Sequence, residues 1–214
     1  MRFYLQPGGL NREAQHCARL AGVMASPARD VVPVGTVEWT AIYAAEVGVV
    51  LPDWQTYPPE LLPWMGRQVR VGRYADAQPH EFCKPLTRLK AFAGALWADV
   101  DEVVSPDEPV WIAEPVSFTA EWRCYILNRA IVGIGQYGEG DDEEPDLAHV
   151  ASMLAAWQGP AGWALDVGRL ADGRQVLVEV NDGWALGFYT GCKREAYLRV
   201  ISARWAEIAG TGAT

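Results

Sequence analysis

The spacing of apolar positions changes along the chain and divides it into elements. Residues 1–5 read as a short strand, and Pro7-Gly8-Gly9 as a turn. Asn11 can cap a helix running to about residue 24. Residues 27–33 form a connection. Thr36 can cap a second helix, in which Trp39, Ile42 and Tyr43 recur on one face. Gly48 ends that helix, and 49–51 reads as a strand. Pro58 and Pro59 suit the first turn of a short helix reaching residue 64, and 69–74 is another strand. The first third therefore predicts an alternating α/β region.

From about residue 77 strands dominate. Segments 81–85, 110–116, 122–127 and 130–136 have strand character, and Asn128-Arg129 makes a hairpin turn between the last two. Residues 137–146 turn glycine-rich and then acidic, which marks an exposed loop. An amphipathic helix is expected over 149–158. Strands at 162–170 and 175–181 are joined by Ala171-Asp172-Gly173-Arg174, and a closing helix spans 193–209, followed by a frayed tail. No internal repeat interrupts this order.

Composition narrows the function classes. Half of the 214 residues are hydrophobic, enough for a sizeable core in one or two lobes. The formal charge is -9 and no basic block occurs, which argues against a nucleic-acid groove. No apolar run is long enough to span a membrane and no signal-peptide pattern opens the chain, so a soluble cytoplasmic protein is expected. Cys17, Cys83, Cys124 and Cys192 are scattered without a C-x-x-C pair, which favours buried free thiols over a zinc site. The ten tryptophans are expected in the core, at a lobe interface, or lining a pocket.

The chemistry concentrates in two segments. Alternation puts Asp166 on the opposite strand face from Leu165 and Val167. Glu179 and Asn181 share a face opposite Val178 and Val180. If the two strands pair through the Asp172-Gly173 turn, two carboxylates and an amide oxygen converge, a hard-oxygen set suited to Mg²⁺. A cation would also relieve the desolvation of carboxylates set among apolar residues. The plainer alternative is the polar face of a half-exposed sheet.

These segments, in order, resemble the ATP-grasp enzymes, especially the ribosomal-protein-S6 glutamate-ligase-like branch. The resemblance covers about residues 81–181 and implies an α/β (α+β) fold with two lobes of mainly antiparallel sheet gripping a nucleotide. A short α/β domain, 1–76, would precede an ATP-grasp domain, 77–214. That domain would comprise a nucleotide-lysine lobe (77–116) and a metal-binding lobe with closing helix (117–209). By resemblance, Asp166, Glu179 and Asn181 hold two Mg²⁺ ions against ATP. Lys84, in Phe82-Cys83-Lys84-Pro85, reaches the α- or β-phosphate. Glu114, Pro115 and Val116 form the hinge facing adenine and ribose. Glu121-Trp122-Arg123 matches an acidic-x-Arg signature, with Arg123 on a phosphate or acyl phosphate. Lys84, Arg123 and Asn181 would be catalytic. The implied reaction joins a carboxylate to an amine through an acyl phosphate.

The departures are local. After Lys84 the chain carries a single glycine, Gly94, where a glycine-rich flap is usual, so Arg88 or Lys90 is expected to bring charge to the phosphates. Asp182-Gly183-Trp184 replaces the usual turn after the metal asparagine. The chain is short for such a ligase, so a homodimer or a partner subunit would complete the substrate lobe. The alternatives are an ATP-grasp protein that binds nucleotide without ligating, or a protein-interaction module with exposed tryptophans. A buried, convergent Asp166–Glu179–Asn181 cluster would disfavour the interaction module. Trp54, Tyr57 and Trp184 are expected as core or as aromatic pocket walls, and Arg70 or Arg73 as a contact for the substrate carboxylate.

Overall fold

A computed structural model describes residues 2–8, 11–17, 26–86, 92–137 and 143–211. Strand β1 (Phe3–Leu5) lies parallel to β2 (Val32–Val34). Helix α1 (Arg12–Cys17) falls between them and α2 (Val37–Glu46) follows. The continuation of α1 expected to residue 24 lies outside the described residues. The Thr36 hydroxyl caps α2 by accepting from Trp39 N at 3.2 Å.

The strand expected at 49–51 does not form. Gly48 adopts φ +71° at the end of α2, and the Val49 amide donates back to Ala44 O at 2.8 Å. That closing turn uses the Val49 amide, and Val49 is buried there instead of entering a sheet. The short helix after Pro58 is a 3₁₀ element, Pro59–Trp64, with Pro63 inside it. The tighter form suits a segment in which proline removes a backbone donor.

Two four-stranded antiparallel sheets form the rest. The first has the order β3 (Val69–Arg73), β6 (Pro109–Ala113), β4 (Phe82–Pro85), β5 (Ala95–Leu96). The second has the order β10 (Gln175–Asp182), β9 (Gly162–Leu170), β7 (Phe118–Leu127), β8 (Ala130–Gln136). Residue 76 falls after β3, yet β3 is hydrogen-bonded to β6 and so shares a sheet with the lysine strand β4. The β7–β8 hairpin turns on Asn128 and Arg129, both at positive φ, the geometry that matches strand twist.

The second sheet is covered on both faces. Tyr125, Leu127 and Ala164 pack with helix α4 (Arg194–Ala209), β2 and α2. Cys124, Ile126, Leu165 and Val167 pack with helix α3 (Leu147–Ala156) and the 3₁₀ turn. Asp182 is fully buried and takes two bonds from Arg204 of α4, at 2.8 and 3.0 Å. The four cysteines are buried and unpaired, as expected. Among the described residues no helix is long and apolar enough to cross a membrane.

Candidate active site

Register brings three charged residues into one row across the second sheet. Arg123 on β7 faces Asp166 on β9, and Asp166 faces Glu179 on β10. The second pairing depends on an irregularity. Leu177 pairs with Val167, then the register shifts so that Glu179, not Val178, stands opposite Asp166. Regular alternation would have put Glu179 on the face of Val167, in the core. A bulge of this kind re-aims a side chain at a functional edge.

The row is knitted by hydrogen bonds. Arg123 Nε donates to Asp166 Oδ1 at 2.8 Å and its second amino group to Oδ2 at 2.6 Å. The Tyr137 hydroxyl donates to Oδ2 at 2.9 Å. Asn181 Nδ2 lies 3.0 Å from both Asp166 Oδ2 and Glu179 Oε1. Lys84, from the first sheet, forms an ion pair with Glu179 and so links the two lobes. The Arg123 guanidinium sits over the Tyr189 and Tyr137 rings, 4.9 and 5.4 Å from their centroids.

Electrostatics follow from burial. Asp166 is 0% exposed and Arg123 5%. Burial opposes the Arg123 charge, but Asp166 outweighs it and holds the guanidinium ionised. Burial, and then the Asp166 charge, push the Tyr137 phenol far above its ordinary range. Glu121 is shifted toward neutrality. Burial first and Asp166 second raise its carboxyl from 4.5 to about 7, against the pull of Arg123, Lys84 and Arg67.

Between the sheets lies a cavity of about 410 Å³. Phe82 and Lys84 line it from the first sheet, and Glu121, Arg123, Glu179 and Asn181 from the second. Tyr137 and Tyr189 complete its wall. Neither tyrosine stands out in the sequence, because Tyr137 ends a strand beside a loop and Tyr189 falls in an irregular segment. An aromatic residue beyond the end of a strand gives no periodic signal.

Other expected residues stand elsewhere. Glu114 and Pro115 are exposed in the link between β6 and β7. The Glu114 carboxylate accepts from Gln68 N at 2.9 Å, and neither residue lines the cavity, nor does Val116. Lys90, with the rest of the expected flap at 87–91, lies outside the described residues. Arg70 is paired with Glu81, and Arg73 with Asp76 and Asp107, so neither faces the cavity. Trp54 lines the cavity, whereas Tyr57 and Trp184 line a second, apolar one.

Asp166, one of the three expected metal ligands, is held by protein groups in this arrangement. Its two oxygens are taken by Arg123, Tyr137 and Asn181, and no part of it reaches solvent. The Arg123 guanidinium relieves the desolvation of the Asp166 charge. Among the described residues no group of three or more His, Cys, Asp or Glu is arranged for a metal. Glu179 and Asn181 do line the cavity and bring oxygen donors of the type Mg²⁺ takes, with phosphate oxygens and water left to fill its remaining positions.

Two sheets closing on a polar cavity, with a lysine from one and an Arg–Asp–Glu–Asn cluster from the other, define an ATP-grasp protein. The chain belongs to the ATP-grasp domain, R2K clade family 2, whose family model matches residues 64–200. Membership puts it with ATP-dependent ligases as a general class. A solved RimK domain ATP-grasp protein from Sphaerobacter thermophilus DSM 20745 is 19% identical, with 98% of each chain covered and a TM-score of 0.50, and shares the fold. The D-cycloserine synthetase DcsG is 13% identical over 99% of each chain, with a TM-score of 0.46. The macrocyclase MdnC from Microcystis aeruginosa MRC, solved with precursor peptide MdnA, is 12% identical. That alignment covers 81% of this chain and 59% of that one, with a TM-score of 0.39. Among curated proteins none matches the chain.

Proposed function

We propose that the protein is an ATP- and Mg²⁺-dependent ligase joining a carboxylate to an amine through an acyl phosphate. The observation that carries the reading is the meeting of Lys84, Glu121, Arg123, Glu179 and Asn181 in one cavity between two sheets of an ATP-grasp fold. The buried convergence of Asp166, Glu179 and Asn181 speaks against an interaction module, whose polar groups would point outward.

In this reading ATP lies along the cavity. Lys84 and Arg123 receive the phosphates, giving charge stabilisation where negative charge gathers in phosphoryl transfer. Mg²⁺, held by Glu179 and Asn181, would neutralise phosphate charge. A substrate carboxylate oxygen bonds to the γ-phosphorus as the bond to the ADP oxygen breaks. An amine nitrogen then bonds to the acyl carbon, phosphate departs, and the nitrogen loses a proton. Glu121, raised to about 7, is suited to take that proton.

Both carboxylates already have organic cations, Arg123 on Asp166 and Lys84 on Glu179. Nucleotide would therefore enter by exchange, its phosphates drawing Lys84 away and leaving Glu179 and Asn181 as the residues that would hold Mg²⁺. Calorimetric titration of ATP with and without Mg²⁺ tests this, with Glu179→Gln as the folded control. ATP binding that Mg²⁺ strengthens in the wild type but not in the variant supports the assignment. A folded wild-type protein that ignores ATP in both conditions would sink it. Asp166→Ala is a poor control, because it strands a buried guanidinium and unfolding would mimic lost binding.

A further inference from the structure

A second cavity, of about 690 Å³, opens beside the nucleotide cleft. The coil after α2 contributes Leu51, Trp54 and Tyr57 to its wall, and the first sheet contributes Val71 and Trp111. Trp184 closes it from beyond β10. The volume falls in the usual range for small-ligand sites, and the wall has their character, mostly apolar and aromatic. Asp53, itself exposed, is the one formally charged residue among the described residues that line it.

Strand register ties this cavity to the reaction site. Val71 faces Trp111 on the neighbouring strand, and Trp111 faces Lys84 on the next. Facing residues on antiparallel strands share one side of the sheet. Val71, Trp111 and Lys84 are therefore a single row, apolar at one end and cationic at the other. Tyr57 connects the same two regions, since Lys84 Nζ stands 5.7 Å from its ring centroid and the ring lines the apolar cavity. Trp54 lines both cavities.

The mouth is apolar as well. Leu62 and Val71 line the cavity while 37% and 54% exposed. Scattered exposed apolar side chains are ordinary, but exposed ones on the wall of a concave site mark binding.

We propose that this cavity holds the hydrocarbon body of the acyl substrate, a small carboxylic acid with an aromatic or branched apolar body. Its carboxylate points along the row toward Lys84 and the cleft. A whole nucleotide does not suit the cavity, because among the described residues of its wall no cation stands to receive the phosphates. A carboxylate inserted carboxyl-first would meet the same deficit, which fixes the orientation. The assignment rests on the ligase reading and deepens it by naming the class of acid.

The test is calorimetric titration of the full chain with 3-phenylpropionate and with propionate, and separately with ATP and Mg²⁺. The two acids share a carboxylate and differ in the ring. The aromatic acid is expected to bind at least tenfold more tightly. Leu62→Glu and Val71→Glu, each at an exposed position, should weaken it at least tenfold and leave ATP binding intact. Equal binding of the two acids, or unchanged affinity in both folded variants, overturns the proposal. Binding of a phenylalanine-terminated tetrapeptide but not of 3-phenylpropionate also overturns it, and gives the cavity to a peptide. ATP binding without binding of either acid removes this proposal alone. Binding of the aromatic acid without ATP binding removes the ligase reading and leaves an apolar-acid site.

Discussion

Arg123 and Asp166 are register partners on adjacent strands and also a two-bond ion pair, with contacts of 2.8 and 2.6 Å in a buried setting. The pair is held from the side by Tyr137 and Asn181. Removing one charge leaves the other without compensation. Asp166→Asn is therefore expected to destabilise the fold by about 3 kcal/mol. Replacing both, as Arg123→Met with Asp166→Leu, should recover most of that loss while abolishing any ligase activity. Urea unfolding of the two variants checks this. A single variant as stable as the wild type would contradict the account of the pair.

Glu121 gives a pH dependence of defined sign. Its carboxyl stands at about 7 in the folded chain against an ordinary 4.5, so folding favours its neutral form. That contribution is complete below about 4.5 and is lost as pH rises through 7. Glu121→Gln should remove this slope and raise stability at pH 8 by about 2 kcal/mol, less than the full shift because the group is partly screened. Denaturant midpoints at pH 5 and pH 8 measure it. If wild type and variant keep a constant difference across that range, the carboxyl is not tuned as described.

Much of this site was legible before the structure. Lys84, Arg123, Glu179 and Asn181 line one cavity, and the alternation of the strands that carry Lys84 and Arg123 is plain. Two things were not legible. The bulge before Glu179 has no composition signal, as Leu177, Val178 and Val180 are interchangeable to any pattern, yet it decides which face Glu179 takes. The state of Asp166 was equally hidden, since an acidic residue among apolar ones reads the same whether a metal or a guanidinium faces it across the sheet. The hinge residues Glu114 to Val116 show the opposite case. Their place between the sheets was readable, but the Glu114 contact with the Gln68 amide depends on a neighbour 46 residues away.

The closing helix is held near the sheet by two glycines, which predicts a contrast with a third. A Cβ on Gly162 would stand 2.1 Å from Val200 O of α4, and one on Gly183 would stand 2.2 Å from Gly162 O. Backbone cannot yield as a side chain can, so Gly162→Ala should destabilise by about 3 kcal/mol. Gly173, in the β9–β10 turn, has φ +86° and nothing within 4 Å of its Cβ position. Gly173→Ala meets only backbone strain and should cost about 1 kcal/mol. Thermal melts of both variants rank the two effects, and the reverse order would refute the close packing of α4.

Lys84 and Glu179 come from different sheets, so their ion pair also sets how the lobes respond to ligand. In the proposed reading, ATP alone would draw Lys84 away and leave the Glu179 carboxylate near the phosphates, with the Asn181 amide beside it. In the proposed reading, Mg²⁺ alone would displace Lys84 from Glu179 without bringing an anion in exchange. The two ligands should therefore help each other by at least tenfold, equivalent to about 1.4 kcal/mol of coupling. Glu179→Gln removes both the anion that repels ATP and the ligand that draws Mg²⁺. It should bind ATP more tightly than wild type does without the ion, and should gain little when the ion is added. Lys84→Ala should lose ATP affinity in both conditions. A full cycle of titrations on wild type and Glu179→Gln measures the coupling directly. Equal coupling in the two proteins would show that the metal acts at some other carboxylate.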